Sequence, residues 1–523
     1  MNFRYRSIIL WLLPLFASLA IQGISFGWNR VVLSNAIENL LTVLILISVL
    51  LLVKTKVAKL LSPAFYVLWT LSCLVESIYY YVFKSNLSAS SIYILLETNL
   101  AESKEFIEFY LNPSIVLMIV GFLIFILFFL LKKRTLKDNH FSFIHKIGIA
   151  IVPILSACFL LISGFIKYNF VALTLKSVKD YVYEYKKIDS FGIDKPIAEI
   201  ENFQFQEKYE KATFVFVLGE STTRNRLSLY GYSRNTTPYL KSIENELLVY
   251  TDVVSPNAYT IGSLRKILTA NGLNNDDDFS LVQLMNQAGF KTFWLSNHRP
   301  IGKYESLVTK IASASDVYQI KNTSVDGSIT PYDEVLLPLI DDALKDKANL
   351  KFIVIHPLGT HMQYMDRYPK DFDKFKGKST SSFNNFRAHE LSNAYDNALL
   401  YHDSFLENIH KQLKALEEPS YMIYFSDHGE EVFTDIDFAG HTDDNPTASM
   451  YEVPFLLWMN SSFQDLSNFE FDADRPYNLT DFIHSFSELN SIRFKGFDSK
   501  KSIFSEDFES VSRKVGQDFS YED

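Results

Sequence analysis

Cysteine is almost missing from this chain: there are two in 523 residues, Cys73 and Cys158. Both fall inside apolar runs, LWTLSCLVES and IVPILSACFLLI. The remainder of the chain therefore has no disulfide framework and no thiolate metal centre available to it. An excess of positive charge is missing too. Fifty Lys and Arg against sixty Asp and Glu leave a formal net charge of −10, the wrong sign for a nucleic-acid partner. Internal repeats and low-complexity segments are also lacking, so no solenoid and no long compositional tail is expected.

Apolar residues are what the chain has in quantity, 48% of the total, and they are unevenly spread. Residues 1–166 carry five runs: Ile8–Ile21, Ala36–Val53, Leu60–Phe83, Pro113–Leu131 and Ile147–Ile166. Each is about long enough to cross a ~30 Å hydrocarbon core as a helix. The first run, with Ser18-Leu19-Ala20 as a small-residue cleavage site, also fits a cleaved signal peptide. Arg4 and Arg6, then Lys54, Lys56 and Lys59, then Lys132, Lys133, Arg134, Lys137 and Lys146 mark three cytoplasmic stretches. The loop with Glu97, Glu102, Glu105 and Glu108 faces outward, and so does everything after Ile166, whether or not the first run is cleaved. Residues 167–211 read as a linker. Within it KSVKDYVYEYKK suits a helix lying in the lipid interface, or a plain solvated one.

From Ala212 to the C-terminus at residue 523, strand-like runs (ATFVFVLG, KTFWLS, KFIVIHPLG, YMIYFSD) alternate with helical stretches such as Asn393–Leu416. That alternation predicts an α/β domain with a mostly parallel sheet. Ligands of such sheets bind beyond the carboxyl ends of the strands. Asp427 and His428, in YFSDHGEE, stand where a strand ends and read as metal ligands, with His441 as a substrate contact. The plainer reading is a turn with a solvated Asp-His pair. Glu220 ends another strand and faces the same crevice, unless it only serves a helix N-terminus. Thr260, in SPNAYTIGSLRKILTANG, begins a helical pattern after a Pro-Asn turn. It is either an N-cap or a hydroxyl placed where helix N–H groups receive a phosphoryl group. His361 follows a third strand. Asn297 and Lys303, in WLSNHRPIGKYE, follow a fourth, and Lys303 could pair with a phosphate oxygen. Each of these is more often structural when taken singly; their convergence on strand ends suggests metal-assisted phosphoryl transfer.

GESTTRNRLSLYGYSRNTTPYL, the Thr260 segment, LGTHMQYMDRYP, YFSDHGEE and the downstream His441 resemble, in that order, the lipopolysaccharide phosphoethanolamine transferases of the alkaline phosphatase and sulfatase superfamily. SPNAYTIGSLRKILT and MYEVPFLLW look most like the core-oligosaccharide-modifying branch. The resemblance implies a five-helix transmembrane domain in the bacterial inner membrane and a periplasmic sulfatase-like domain. It implies Zn2+ on Glu220, Thr260, Asp427 and His428, with Mn2+ also admitted by oxygen and nitrogen donors. Thr260 would carry a phosphoethanolamine intermediate, His361 and His441 would assist proton transfer, and Lys303 and Asn297 would lie by the substrate. Thr98 and Glu102, in ILLETNLAESKEF, would approach the lipid headgroup, although Ile94 stands where the family often has Asn. The implied donor is phosphatidylethanolamine. The implied acceptor is a glycolipid (lipopolysaccharide core or lipid A) or a periplasmic glucan, and a monomer is expected. Two alternatives are a glycerol-phosphate transferase of the lipoteichoic-acid-synthase kind and a non-catalytic membrane anchor or transport component. No Cys or Ser stands in a C/S-x-P-x-R setting, which counts against a sulfatase.

Overall fold

The structure is a computed structural model. It describes the chain apart from residues 1, 54, 86, 88–90, 93–99, 132–142, 163–168, 275–277, 300–306, 323–329, 468–470, 517–518 and 523. The chain forms two compact units. One comprises Met1–Leu96 and Tyr110–Tyr183, the other Glu97–Phe109 and Glu184–Asp523.

The N-terminal part of the chain is helical: α1 (Asn2–Phe26), α2 (Arg30–Leu52), α3 (Thr55–Phe83), α4 (Leu100–Tyr110), α5 (Pro113–Leu131), α6 (Phe143–Ile162) and α7 (Phe170–Ser190). Helices stand at all five places where apolar runs predict them. Among the described residues, however, only Val32–Leu52, Lys56–Phe83 and Pro113–Leu131 are long and apolar enough to cross a membrane. The apolar stretches Ile9–Ser25 and Ile147–Leu160 are shorter. Three of the five expected spans thus meet that length and composition among the described residues.

Rings hold the first unit together. Tyr66 stacks on Phe129 at 3.5 Å, Trp11 meets Tyr66 edge-on at 5.3 Å, and Trp69 Nε1 donates to the Trp11 carbonyl at 3.0 Å. Such ring pairs contribute about 0.5–1.5 kcal/mol each. Glu76, a buried acid on α3, is fully committed. Its carboxylate accepts from Asn39 Nδ2 at 2.6 Å, Ser72 Oγ at 3.3 Å and the Phe170 N–H at 3.0 Å. Glu38 accepts from the Asn169 N–H at 2.8 Å. Two buried carboxylates therefore receive the N-terminus of α7, where anions are stabilising. Glu38, which carries no obvious sequence signal, shares this work.

The second unit is built on a seven-stranded sheet. In chain order its strands are β1 (Ala212–Gly219), β2 (Leu247–Tyr250), β3 (Lys291–Ser296), β4 (Val317–Ile320), β5 (Leu350–His356), β6 (Ser420–Ser426) and β7 (Phe455–Met459). Their spatial order is β2-β7-β6-β1-β5-β3-β4. The pairings from β6 through β4 are parallel, but β7 runs against both β6 and β2. The sheet is therefore mixed, which amends the expectation of a mostly parallel one. A parallel neighbour needs a crossover of a dozen or more residues, usually through a helix. The stretch between β6 and β7 contains only short strands and a 3-10 turn, so the chain returns antiparallel. Every residue of β1 is buried. Phe214 and Phe216 pack into a core with Phe352, Tyr421 and Phe425. Val215 and Val217 pack into another with Ile353, Phe405 and Tyr424. Alternate residues thus serve opposite faces, as a strand covered on both sides requires. Two further helices bear on the site, α8 (Thr260–Ile267) and α9 (Phe386–Lys414).

Candidate active site

The carboxyl ends of four adjacent strands, β6, β1, β5 and β3, lie along one edge of the sheet and carry the polar residues. Just beyond β1 and β6 the backbone is pinned tightly. Asp427 N–H donates to the Gly219 carbonyl at 3.0 Å, and Asp427 Oδ1 accepts from the Ser221 and His428 N–H groups at 3.1 and 2.7 Å. Ser221 takes φ +54°, a left-handed conformation uncommon for serine. Tyr395 on α9 holds it there, donating its hydroxyl to the Ser221 carbonyl at 2.7 Å. Gly429 is required sterically: a Cβ there would lie 2.2 Å from the Ser449 carbonyl oxygen.

This frame leaves a buried group of donors. His428 Nε2 lies 3.4 Å from Glu220 Oε1 and 3.5 Å from Asp427 Oδ2. His428 Nδ1 is 2.8 Å from the Gly429 carbonyl, so Nδ1 bears the proton and Nε2 presents its lone pair. Asp427 Oδ2 is buried without a hydrogen-bond partner. Thr260 Oγ1 completes the group, 3.3 Å from each Glu220 oxygen and 3.4 Å from His428 Nε2. Thr260 is the first residue of α8; the cap position belongs to Tyr259. The N-cap explanation for this threonine therefore falls away. Its turn is fixed instead by Asp443, which accepts from Asn257 Nδ2 at 2.7 Å and the Ala258 N–H at 2.8 Å.

The electrostatics fit a cation. Burial and the facing Glu220 carboxylate push Asp427 well above the usual carboxylate range. Burial would raise Glu220 as well, but its hydrogen bond and charge contact with His428 outweigh that and hold it low. Burial alone would lower His428, yet without a metal ion Asp427 and Glu220 pull it up to about 10, so a proton on Nε2 takes the place a cation would hold. Two facing buried carboxylates are costly unless a positive charge lies between them. Glu220, Asp427 and His428 offer donor atoms within 4.8 Å of one another, and their oxygen and nitrogen chemistry suits Zn2+ or Mn2+.

A second set of histidines surrounds this group. His441 Nδ1 is 2.6 Å from Glu430 Oε2, and the Tyr364 hydroxyl donates to the other Glu430 oxygen. Glu430 therefore orients His441, leaving Nε2 exposed to work. The His441 and His428 rings are 4.1 Å apart. Burial dominates at His361 and, against the pull of Glu220, lowers it to about 3, so this imidazole is neutral. His298 and His356 stack at 3.9 Å and lie with Glu220 in a further cluster of possible ligands. Burial likewise keeps His356 neutral.

Glu220, Thr260, Asp427 and His428 thus come together, with His361 and His441 beside them. Asn297 is fully buried; its amide donates to Asp333 Oδ1 and to the Pro331 carbonyl, both at 2.9 Å. Asp333 in turn accepts from the Leu358 and Gly359 N–H groups at 2.8 and 2.9 Å. Asn297 is therefore a support of the loop leading to His361. Lys303, Thr98 and Ile94 lie outside the described residues. Glu102 is half-buried on α4. Residues 100–109 of α4 pack within the second unit, although they belong to the N-terminal 166 residues. Glu105 Oε2 meets Arg367 Nη2 at 2.5 Å, and Gln363 Nε2 donates to the Glu105 carbonyl at 2.8 Å. Arg367 also donates from Nε to the His361 carbonyl at 3.2 Å, which ties α4 to the loop that carries His361. Sequence reasoning missed Glu430, Asp443, His298 and His356. Glu430 sits three residues after Asp427 in the same motif, and His298 and His356 stand at the ends of β3 and β5, a signal that could have found them; Asp443 had no distinguishing pattern.

Residues 212–492 match the sulfatase family. The phosphoethanolamine transferase EptC of Escherichia coli O18:K1:H7 (strain RS218 / NMEC) is 32% identical over 482 residues, 87% of this chain and 83% of its own. A crystal structure of the C-terminal periplasmic domain of EcEptC from Escherichia coli, in complex with Zn, is 36% identical. It superposes with a TM-score of 0.59 over 62% of this chain and 95% of that one. The integral membrane lipooligosaccharide phosphoethanolamine transferase A (EptA) from Neisseria meningitidis aligns over 96% of this chain and 97% of its own, with a TM-score of 0.67. At 20% identity this last likeness speaks for the fold alone, helical N-terminal region included. A sulfatase-type α/β unit with oxygen and nitrogen donors at its strand ends, preceded by apolar helices and matched along most of its length by EptC, places the chain in one family: it belongs to the phosphoethanolamine transferases of the alkaline phosphatase superfamily, and it is an enzyme.

Proposed function

We propose that the enzyme takes phosphoethanolamine from phosphatidylethanolamine, carries it on Thr260 and passes it to a glycolipid of the cell envelope, lipopolysaccharide core or lipid A. The observation that carries this reading is the placing of Thr260 Oγ1, equidistant at 3.3 Å from both Glu220 oxygens at the start of α8. In the first step Thr260 Oγ attacks phosphorus, the bond from phosphorus to the diacylglycerol oxygen breaks, and that oxygen leaves with a proton. In the second an acceptor hydroxyl attacks the same phosphorus, and Thr260 Oγ leaves and regains its proton. Zn2+ held by Glu220, Thr260, Asp427 and His428 would lower the hydroxyl pKa toward neutrality. The Zn-bound EptC domain supports that choice of ion, and Mn2+ fits the same donors. The N–H groups at the start of α8 hold phosphoryl oxygens. His441, through Nε2, and neutral His361 move the protons. By the family resemblance, Lys303 would pair with the phosphate, and Thr98 and Glu102 would contact the headgroup.

The same reading places the protein in the bacterial inner membrane as a multi-pass, monomeric enzyme, with the second unit in the periplasm and residues 167–211 as an interfacial linker. The apolar helices and the basic stretches flanking them support it. Incubating the full chain in detergent with phosphatidylethanolamine and purified lipopolysaccharide should give an acceptor that mass spectrometry shows to bear phosphoethanolamine. Glycerol phosphate appearing on the acceptor from phosphatidylglycerol, with no phosphoethanolamine product, would replace this reading with the glycerol-phosphate one.

Glu430 offers a finer check. Glu430→Gln weakens the hold on His441 Nδ1 without touching the Thr260 group. Transfer should slow by about 10–100-fold while metal content is unchanged. A full rate in that variant would show that His441 needs no orientation.

A further inference from the structure

We infer a second divalent-cation site formed by Glu220, His298 and His356, with Glu220 bridging it to the first. The inference rests on the metal-dependent reading of the Thr260 site given above. Glu220, His298 and His356 each offer one donor atom, and the three atoms lie within 4.8 Å of one another. They come from three neighbouring strand ends. Glu220 follows β1, His356 closes β5, and His298 stands two residues past the end of β3. With Asp427 and His428 after β6, four consecutive strands point ligands at one line, and Glu220 sits between the two groups.

The protonation geometry suits ligation. His298 Nε2 lies 2.9 Å from the Pro357 carbonyl, so it bears the proton and Nδ1 keeps a lone pair. His356 is 3% exposed, and its Nε2 is buried with no partner. His356 Nδ1 lies 3.4 Å from Ser296 Oγ, which already accepts from the His298 N–H at 3.0 Å. An Nδ1–H therefore has an acceptor, and the orphaned Nε2 has a lone pair to give. An oriented second nitrogen of this kind is the usual companion of a metal-bound histidine. The rings stack at 3.9 Å with an interplanar angle of 11°, so their edges lie side by side. A closed tetrahedral site brings donors to about 3.3 Å from one another, given bonds of about 2.0–2.1 Å. Rotation of the half-buried His298 supplies the difference.

Occupancy also selects this cluster over its rival. His428, Glu430 and His441 form another triad of possible ligands. His428 has one lone pair, on Nε2, because Nδ1 donates to Gly429. An imidazole nitrogen serves one ion, so this triad loses a member once the Thr260 site fills. A carboxylate has two oxygens and bridges two ions. Of the candidate clusters among the described residues, the Glu220–His298–His356 one can therefore be filled together with the first. Two ions so bridged would stand about 3.5–4 Å apart, a separation suited to clamping the attacking and leaving oxygens of an in-line transfer. Nitrogen and oxygen donors select Zn2+ or Mn2+.

The test is metal stoichiometry. The full chain in detergent, stripped with a chelator and titrated with Zn2+, should take up two equivalents by calorimetry and by elemental analysis after desalting. His298→Asn and His356→Asn should each take up one, Asp427→Asn with His428→Ala one, and Glu220→Gln none. His298 is partly exposed, so His298→Ala keeps the test open if the buried His356 variant does not fold; circular dichroism reports folding for each. One equivalent in the wild type, unchanged in both His298 variants, would overturn the second site and leave the first standing, provided the Asp427/His428 change removes that ion. Two equivalents retained by the His298 variants would place the second ion elsewhere and overturn the assignment equally. Uptake unaffected by any of these changes would end the metal-dependent reading as well.

Discussion

Thr260→Ala should abolish transfer, lowering the rate by at least about 10^3-fold, while the protein folds and inserts as before. The structure makes this a clean test. Thr260 occupies the first helical position, and Tyr259 occupies the cap, so no capping hydrogen bond is lost. Alanine is also the better helix former, so stability should change by no more than about 0.5 kcal/mol. A large loss of activity at constant stability has then one source, the hydroxyl 3.3 Å from Glu220. Thr260→Ser keeps a hydroxyl and should keep part of the rate. Wild-type protein incubated with phosphatidylethanolamine alone should yield a peptide with phosphoethanolamine on Thr260, seen by mass spectrometry. Near-wild-type transfer by Thr260→Ala would remove the covalent intermediate from the mechanism.

The second large effect concerns the ion beside Thr260. Asp427→Asn with His428→Ala should lose that ion and the activity together. The stability readout distinguishes this from simple unfolding. In the metal-free protein Asp427 Oδ2 is buried and unpartnered opposite Glu220. Neutralising it removes a repulsion, so the double variant should melt no more than a few degrees below metal-free wild type. Added Zn2+ at 100 times its Kd stabilises a one-site folded protein by about 2.7 kcal/mol. That gain should appear in the wild type and shrink in the variant. Ligands bind deprotonated, so uptake releases protons and should weaken as the pH falls. Equal thermal gain in both proteins would mean that Asp427 and His428 form only a turn.

Those two residues show what was legible beforehand. Asp427, His428, Glu220 and Thr260 could be found because each stands at a strand end or a helix start, and local pattern marks both. Parallel strands bring such ends to one edge whatever lies between them in sequence. The apolar runs were equally visible, although length separates three clear spans from the two shorter apolar stretches. Glu38 escaped because its partner, the N-terminus of α7, lies 131 residues further on.

The sequence by itself determined the helical N-terminal part, the α/β character of the remainder and the membership of the Thr260 group. These follow from runs of apolar residues and from motifs whose chemistry is local. Only the tertiary structure decided three other things. It made the sheet mixed, because the chain after β6 forms no helical crossover before β7. It gathered residues 100–109 with the second unit, because Glu105 meets Arg367 across 262 positions. And it set His298 and His356 beside Glu220, a juxtaposition that depends on the order of β1, β5 and β3 in space, which no spacing along the chain encodes.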